Sequence, residues 1–93
     1  MNVTITTNRG KAFKVSSICV PMLDESKCII ELEDERTPAE IFADFDGLET
    51  ITKTDDVTDQ VKHYDGFASL VEFKRVKGNT VRLTLEKGAE TNG

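Results

Sequence analysis

Apolar and polar residues alternate along much of this chain. Val3-Thr4-Ile5-Thr6-Thr7 has the period of two expected of a half-buried strand, and Asn8-Arg9-Gly10 follows as a turn. Phe13 and Val15 resume the alternation, but Ile18 and Val20 fall on the opposite phase. The slip lies at Ser16-Ser17, where a β-bulge would bring the apolar side chains back to one face. Pro21 ends this strand or marks an edge. Met22 to Ser26 turns the chain, and Lys27 to Glu33 is the next strand, with Cys28, Ile30 and Leu32 on one face. Antiparallel pairing about Leu23-Asp24 sets Cys19 opposite Cys28.

The period then changes. Thr37-Pro38-Ala39-Glu40 combines a Thr N-cap, a Glu three residues on and Pro at the first helical position. Ile41, Phe42 and Phe45 share one face of a helix over about 38–46, and Gly47 closes it in a left-handed conformation. A helix of about two turns does not survive alone in water, so this one needs a sheet to cover. Leu48 to Lys53 and Thr58 to Tyr64 read as strands around a loop at residues 54–57, and Asp65-Gly66 is a tight turn. Phe67 to Val76 and Thr80 to Lys87 form the clearest hairpin. A three-residue loop, Lys77-Gly78-Asn79, pairs Phe73 with Leu83 and Val71 with Leu85. A two-residue loop, Gly78-Asn79, sets Lys74 against Leu83, so the longer loop is expected.

The predicted order is three strands, one helix and four strands. That is an α+β, mostly antiparallel β fold, with about seven short strands and the helix packed on the sheet or barrel. Residues 1–88 make one domain, and 89–93 form a frayed polar tail. Composition agrees with a packed core. Leu, Ile, Val and Phe together supply 25 of 93 residues, above the roughly 20% below which chains stay disordered.

Charge narrows the partners. Seventeen acids against twelve Lys and Arg give −5. This opposes direct nucleic-acid binding, which needs cations against phosphates. The charge is uneven: +3 over residues 1–20, −10 over 21–65 and +2 over 66–93. Either solvated faces differ by chance, or the surface is dipolar and steers a partner or a second copy. No apolar run approaches the roughly 20 residues of a membrane span. The N-terminus lacks a basic start and continuous apolar stretch, so a cytoplasmic or virion context is expected rather than secretion.

The candidates for chemistry are few. His63-Tyr64-Asp65 gathers reactive types, but strand neighbours point to opposite faces, so His63 and Tyr64 are not expected to act together. Asp44-Phe45-Asp46-Gly47 with Glu49 is part of a calcium-loop pattern with its Gly two positions too early. Asp55, Asp56 and Asp59 form an acidic turn. Each is expected to be a solvated acidic stretch. The two cysteines are either a cross-strand disulfide or two small buried or half-buried side chains, and a reducing compartment favours the second. No catalytic, cofactor-binding or metal-binding residue and no cofactor is predicted.

Three stretches carry a resemblance: Ile51-Thr52-Lys53-Thr54-Asp55-Asp56; Tyr64-Asp65-Gly66-Phe67 with Leu70; and Asn79-Thr80-Val81-Arg82-Leu83-Thr84-Leu85-Glu86-Lys87. Over about residues 37–87 the chain resembles small proteins encoded by phages and prophages of Gram-positive bacteria, many of them encoded among virion structural genes near tail genes. That resemblance implies a non-enzymatic structural or assembly role through protein partners, with no cofactor; edge strands and separated charge add the expectation of head-to-tail self-association into a ring, and the lack of a long apolar run the expectation of no membrane. The resemblance places the chain in the cytoplasm during assembly and then in the virion. The alternative expectation is an acidic host-directed regulatory or inhibitory module, drawn from the fourteen acids of residues 21–65.

Overall fold

The computed structural model describes residues 3–87, so the expected tail at 89–93 lies outside the described residues. In chain order these form β1 (Val3–Thr7), β2 (Ala12–Val15), β3 (Ser17–Cys19), β4 (Lys27–Glu33), α1 (Pro38–Phe45), β5 (Thr50–Asp55), β6 (Val61–Asp65), β7 (Ser69–Lys77) and β8 (Thr80–Glu86). The strands make two four-stranded sheets with antiparallel pairing, ordered β2-β1-β5-β6 and β3-β4-β8-β7. The class is the mostly antiparallel β fold with one short helix that the alternation predicts.

Eight strands appear among the described residues where seven were expected. The second predicted strand divides at Ser16, and the reason explains the phase slip. Val15 points inward from the first sheet and Ile18 inward from the second, and both are buried. The chain therefore crosses from sheet to sheet where a bulge within one strand was expected. The Ser16 amide donates to the Glu31 carbonyl at 2.7 Å and so joins the second ladder at once. A second crossing, through Gly66 (φ 86°) to Ala68, links β6 to β7. Both of these short crossings join edge strands of the two sheets, whereas the connection through α1 joins the interior strands β4 and β5.

The core lies between the sheets. Val3, Ile5, Val15, Ile51 and Tyr64 enter it from the first sheet. Ile18, Cys28, Ile30, Leu32, Leu70, Val81, Leu83 and Leu85 enter it from the second. Ile41 and Phe45 of α1 are fully buried with them, and the Phe45 ring lies 4.7 Å from that of Phe13 on β2. Because α1 also contacts β7, it fills the space between an edge of each sheet.

The helix ends follow the predicted chemistry. Thr37 and Glu40 form the reciprocal capping box, and Pro38 opens the first turn. The helix stops at Phe45, one residue short of the expectation, with Asp46 as C-cap and Gly47 at φ 80°. The last turn holds no basic residue of its own. Arg9, from the β1–β2 turn, supplies one by donating to the Ala43 and Asp46 carbonyls at 2.6 Å each. A cation there opposes the negative end of the helix dipole.

Three local expectations are corrected. β5 runs to Asp55 and β6 starts at Val61, so the loop is residues 56–60 and not 54–57. Thr54 and Asp55 still have partners on β1, while Asp59, at φ 63°, turns the chain later than expected. Leu48 belongs to the connection and is fully buried there, outside β5. The β7–β8 loop has two residues, since Lys77 pairs with Thr80. Phe73 still faces Leu83, because a ladder irregularity between Arg75 and Lys77 restores the register that the short loop would have lost. A second irregularity, between Leu70 and Glu72, sets Leu70 opposite Leu85 and leaves Val71 exposed.

Cys19 lies opposite Ile29, because β3 and β4 pair one residue away from the expected register. That shift puts the two thiols on opposite faces of the sheet, Cys19 exposed and Cys28 buried, and both are free. Burial pushes the Cys28 thiol up to about 12. In native protein one thiol should therefore react rapidly with Ellman's reagent, and the second only after unfolding. Two fast thiols in the native state, or none in denaturant, would contradict this arrangement.

Candidate interaction surface

Four of the predicted acidic candidates, Asp44, Asp46, Asp55 and Asp56, are engaged within the fold where solvated residues were expected. Asp44 is buried and receives Arg36 and Lys11, the latter at 3.2 Å. Asp46 accepts the Leu70 amide at 2.9 Å, so the two carboxylates of the calcium-like stretch serve different partners. Asp55 accepts the Val57 and Thr58 amides, which hold its carboxyl below the usual carboxylate range. Asp56 pairs with Lys14 at 2.8 Å and accepts the Thr4 hydroxyl. Among the described residues, no group of three or more His, Cys, Asp or Glu is placed to hold a metal ion.

These pairs also change the charge picture. Lys11 and Lys14, from the basic N-terminal stretch, fold onto Asp44 and Asp56 of the acidic one. Arg9 reaches the carboxyl end of α1. The two blocks of the sequence therefore meet within the fold and do not form two separate surfaces.

His63-Tyr64-Asp65 divides as strand geometry requires. Tyr64 is buried, while His63 and Asp65 are exposed, and His63 Nδ1 lies 3.1 Å from the Thr52 hydroxyl. The same residues nonetheless border a hollow. Lys62, His63, Tyr64 and Asp65 form one wall of a cleft of about 510 Å³, and Val20, Pro21 and Met22 form another. Four consecutive strand residues line one cleft only when it runs along the strand's edge, because their side chains alternate between faces. β6 pairs with β5 alone, so this is its unpaired edge. The opposite wall continues from β3, which is also an edge strand. Glu25, Phe67 and Lys87 complete the cleft, so it holds the carboxylates of Glu25 and Asp65 beside the two lysines. It is the open side of the sandwich; α1 fills the space between β2 and β7.

Cations lie where apolar side chains are expected. Lys53 is two residues from buried Ile51, Lys62 two from buried Tyr64, and Lys87 two from buried Leu85. All three thus continue the inward phase of their strands beyond the end of the core. Lys53 and Lys62 are direct cross-strand partners, a like-charge arrangement that costs stability. Among the described residues, none of the three forms an ion pair. Lys62 Nζ lies 5.2 Å from the Tyr64 ring centroid and Lys87 Nζ 5.5 Å from that of Phe67. A second hollow, of about 490 Å³, extends past Lys62 to Lys53, Asp55, Gln60 and Val61. Met22, on the cleft wall, is 92% exposed, and its chain neighbour Leu23 is 101% exposed.

This combination was not recognised in the sequence. The available signal was the lysine phase: Lys53, Lys62 and Lys87 each follow the apolar alternation of their strand. Only the pairing of β5 with β6 shows that two of them oppose each other.

No family model, curated protein or solved structure matches this chain. Among the described residues, no helix is long and apolar enough to cross a membrane.

Proposed function

We propose that this chain is a non-enzymatic virion structural or assembly protein of phage or prophage origin, tail-associated, and that it acts through protein–protein contacts. The observation that carries the reading is the open side of the sandwich. There an unpaired strand edge, a cleft lined by Lys62, Lys87, Glu25 and Asp65, and the exposed Met22 lie together. Unpaired edges bind strands, and exposed apolar residues beside them add buried area on association. The C-terminal resemblance to phage-encoded proteins points the same way and supplies the virion context: cytoplasm during assembly, then the particle. Partners are other proteins, including further copies of this chain. The acidic host-directed module has less support, because Asp34, Asp44 and Asp56 are already taken up by internal partners.

The test is the composition of particles made by the native host. Immunoblots of purified virions and of assembly intermediates should show the chain at a fixed ratio to the tail proteins. Its absence from both would overturn the virion reading.

A further inference from the structure

We infer that the unpaired edge of β6 is a docking site for an extended segment of a partner protein, which joins the first sheet as a fifth strand and carries a carboxylate opposite Lys62. This deepens the assembly reading above by naming the chemistry of the partner.

Three observations converge on it. The cleft runs along an edge whose backbone groups have no strand partner, so an added strand gains a ladder of main-chain hydrogen bonds. Its width is set by the second wall, Val20 to Met22, where Pro21 has no amide hydrogen to offer. The incoming strand therefore pairs with β6 and only packs against that wall.

The third observation decides what kind of strand fits. An inward-pointing lysine on an edge is a guard, because an apolar strand laid beside it would bury the ammonium without a partner. Lys62 is such a guard, and Lys53 directly across the ladder doubles the positive charge. A glutamate or aspartate on the inward face of the added strand removes both penalties at once, whereas a lysine there adds a third like charge. Two residues along the same face, the added strand meets Tyr64 and Phe67, both almost fully buried and flanked by the cleft, where an apolar side chain fits. The partner segment thus has acidic and apolar residues alternating along one face, with small polar residues on the other. Asp65 and His63 point to the outer face; Glu25 also lines the cleft, so the preference for a carboxylate rests on Lys62 and Lys53 at β6.

The other open edges are worse sites. β2 and β3 are only four and three residues long. β7 is longer, but its ladder is irregular at two places. Irregularity twists the backbone away from regular pairing and discourages strand addition there.

The probe is the acetylated nonapeptide Ser-Glu-Thr-Val-Ser-Glu-Thr-Val-Ser, added to the full-length protein and followed by amide resonances and hydrogen exchange. Resonances of residues 61–65 should move and their exchange should slow. The same peptide with lysine for glutamate should bind at least tenfold more weakly. Lys62→Glu should reverse that order, and Lys87→Glu, at the far end of the cleft, should weaken the acidic peptide without reversing it. Equal binding of the two peptides, shifts confined to β7, or no shift at millimolar peptide would overturn the proposal. Broadening at β6 that follows protein concentration alone would overturn it too, because the occupant would then be a second copy. None of these results bears on whether the chain is found in particles, so the two readings fail separately.

Discussion

Phe45→Ala is expected to destabilise the protein by about 3–5 kcal/mol, the cost of truncating a fully buried phenylalanine and leaving a cavity. Phe45 has no exposed surface, packs on Phe13 and shares the core with Ile41 and Leu48. It fixes the end of α1 against β2, on the side where the helix fills the space between the sheets. A two-turn helix gains its stability from such packing and not from its own hydrogen bonds. The loss is a large fraction of the roughly 5–15 kcal/mol that holds a domain of this kind together. At about 4–8 °C per kcal/mol, the melting temperature should fall by more than about 12 °C. Phe42→Ala is the control. Phe42 is 38% exposed on the same helix, and its truncation should cost much less. Equal losses for the two variants would mean that α1 is not docked through Phe45.

The second large effect concerns acid. Asp34 and Asp44 grip Arg36 from two sides, with Arg36 Nη2 2.9 Å from Asp34 Oδ2 and Nη1 bonded to Asp44. Hydrogen bonds from Arg36 hold both carboxyls below their usual value of 3.8. A carboxyl whose folded value is lower than its unfolded one stabilises the fold above the unfolded value, and that contribution disappears as the pH falls through the folded one. Stability should therefore be steady from neutrality to about pH 4.5 and decline below about pH 4. Asp44→Asn should cost about 1–2 kcal/mol at pH 7, less than a fully buried pair because Arg36 and Lys11 are partly solvated. As the pH falls below 3.8 the difference between the variant and the parent should shrink. A constant difference across that range, measured by denaturant unfolding, would show that the Asp44 charge contributes nothing to the acid limb.

Much of the fold is legible in the chain itself. The Thr37-Pro38-Ala39-Glu40 capping box and Gly47 set both ends of the helix through local geometry, and the structure follows them to within one residue. Strict alternation placed β1, β4 and β8, because a strand with one buried face must repeat every two residues. What failed were the positions where local geometry leaves two solutions. Ser16 can hold a bulge or a corner. Gly78-Asn79 can close a register that a compensating bulge then repairs. The cysteines lie a single residue away from facing each other. Each choice is made by which side chains reach the core from the far sheet, and that information is not local.

The cleft is the strongest case of this kind. Lys53, Lys62 and Lys87 are spread over 35 positions of the chain, and each alone is an ordinary charged residue at a strand end. Arg9 looks like a turn residue until the tertiary structure places it on the helix carboxyl terminus. The −5 charge and its uneven blocks are properties of the chain, but folding pairs Lys11 and Lys14 with the acidic stretch. The sequence alone determined the class of fold, the helix and its caps, and the apolar residues that form the core, because short-range sterics, capping chemistry and periodicity set these. Tertiary structure decided which edges stay open, which charges meet and where the lysines gather, because these depend on strand order and register between residues far apart in the chain.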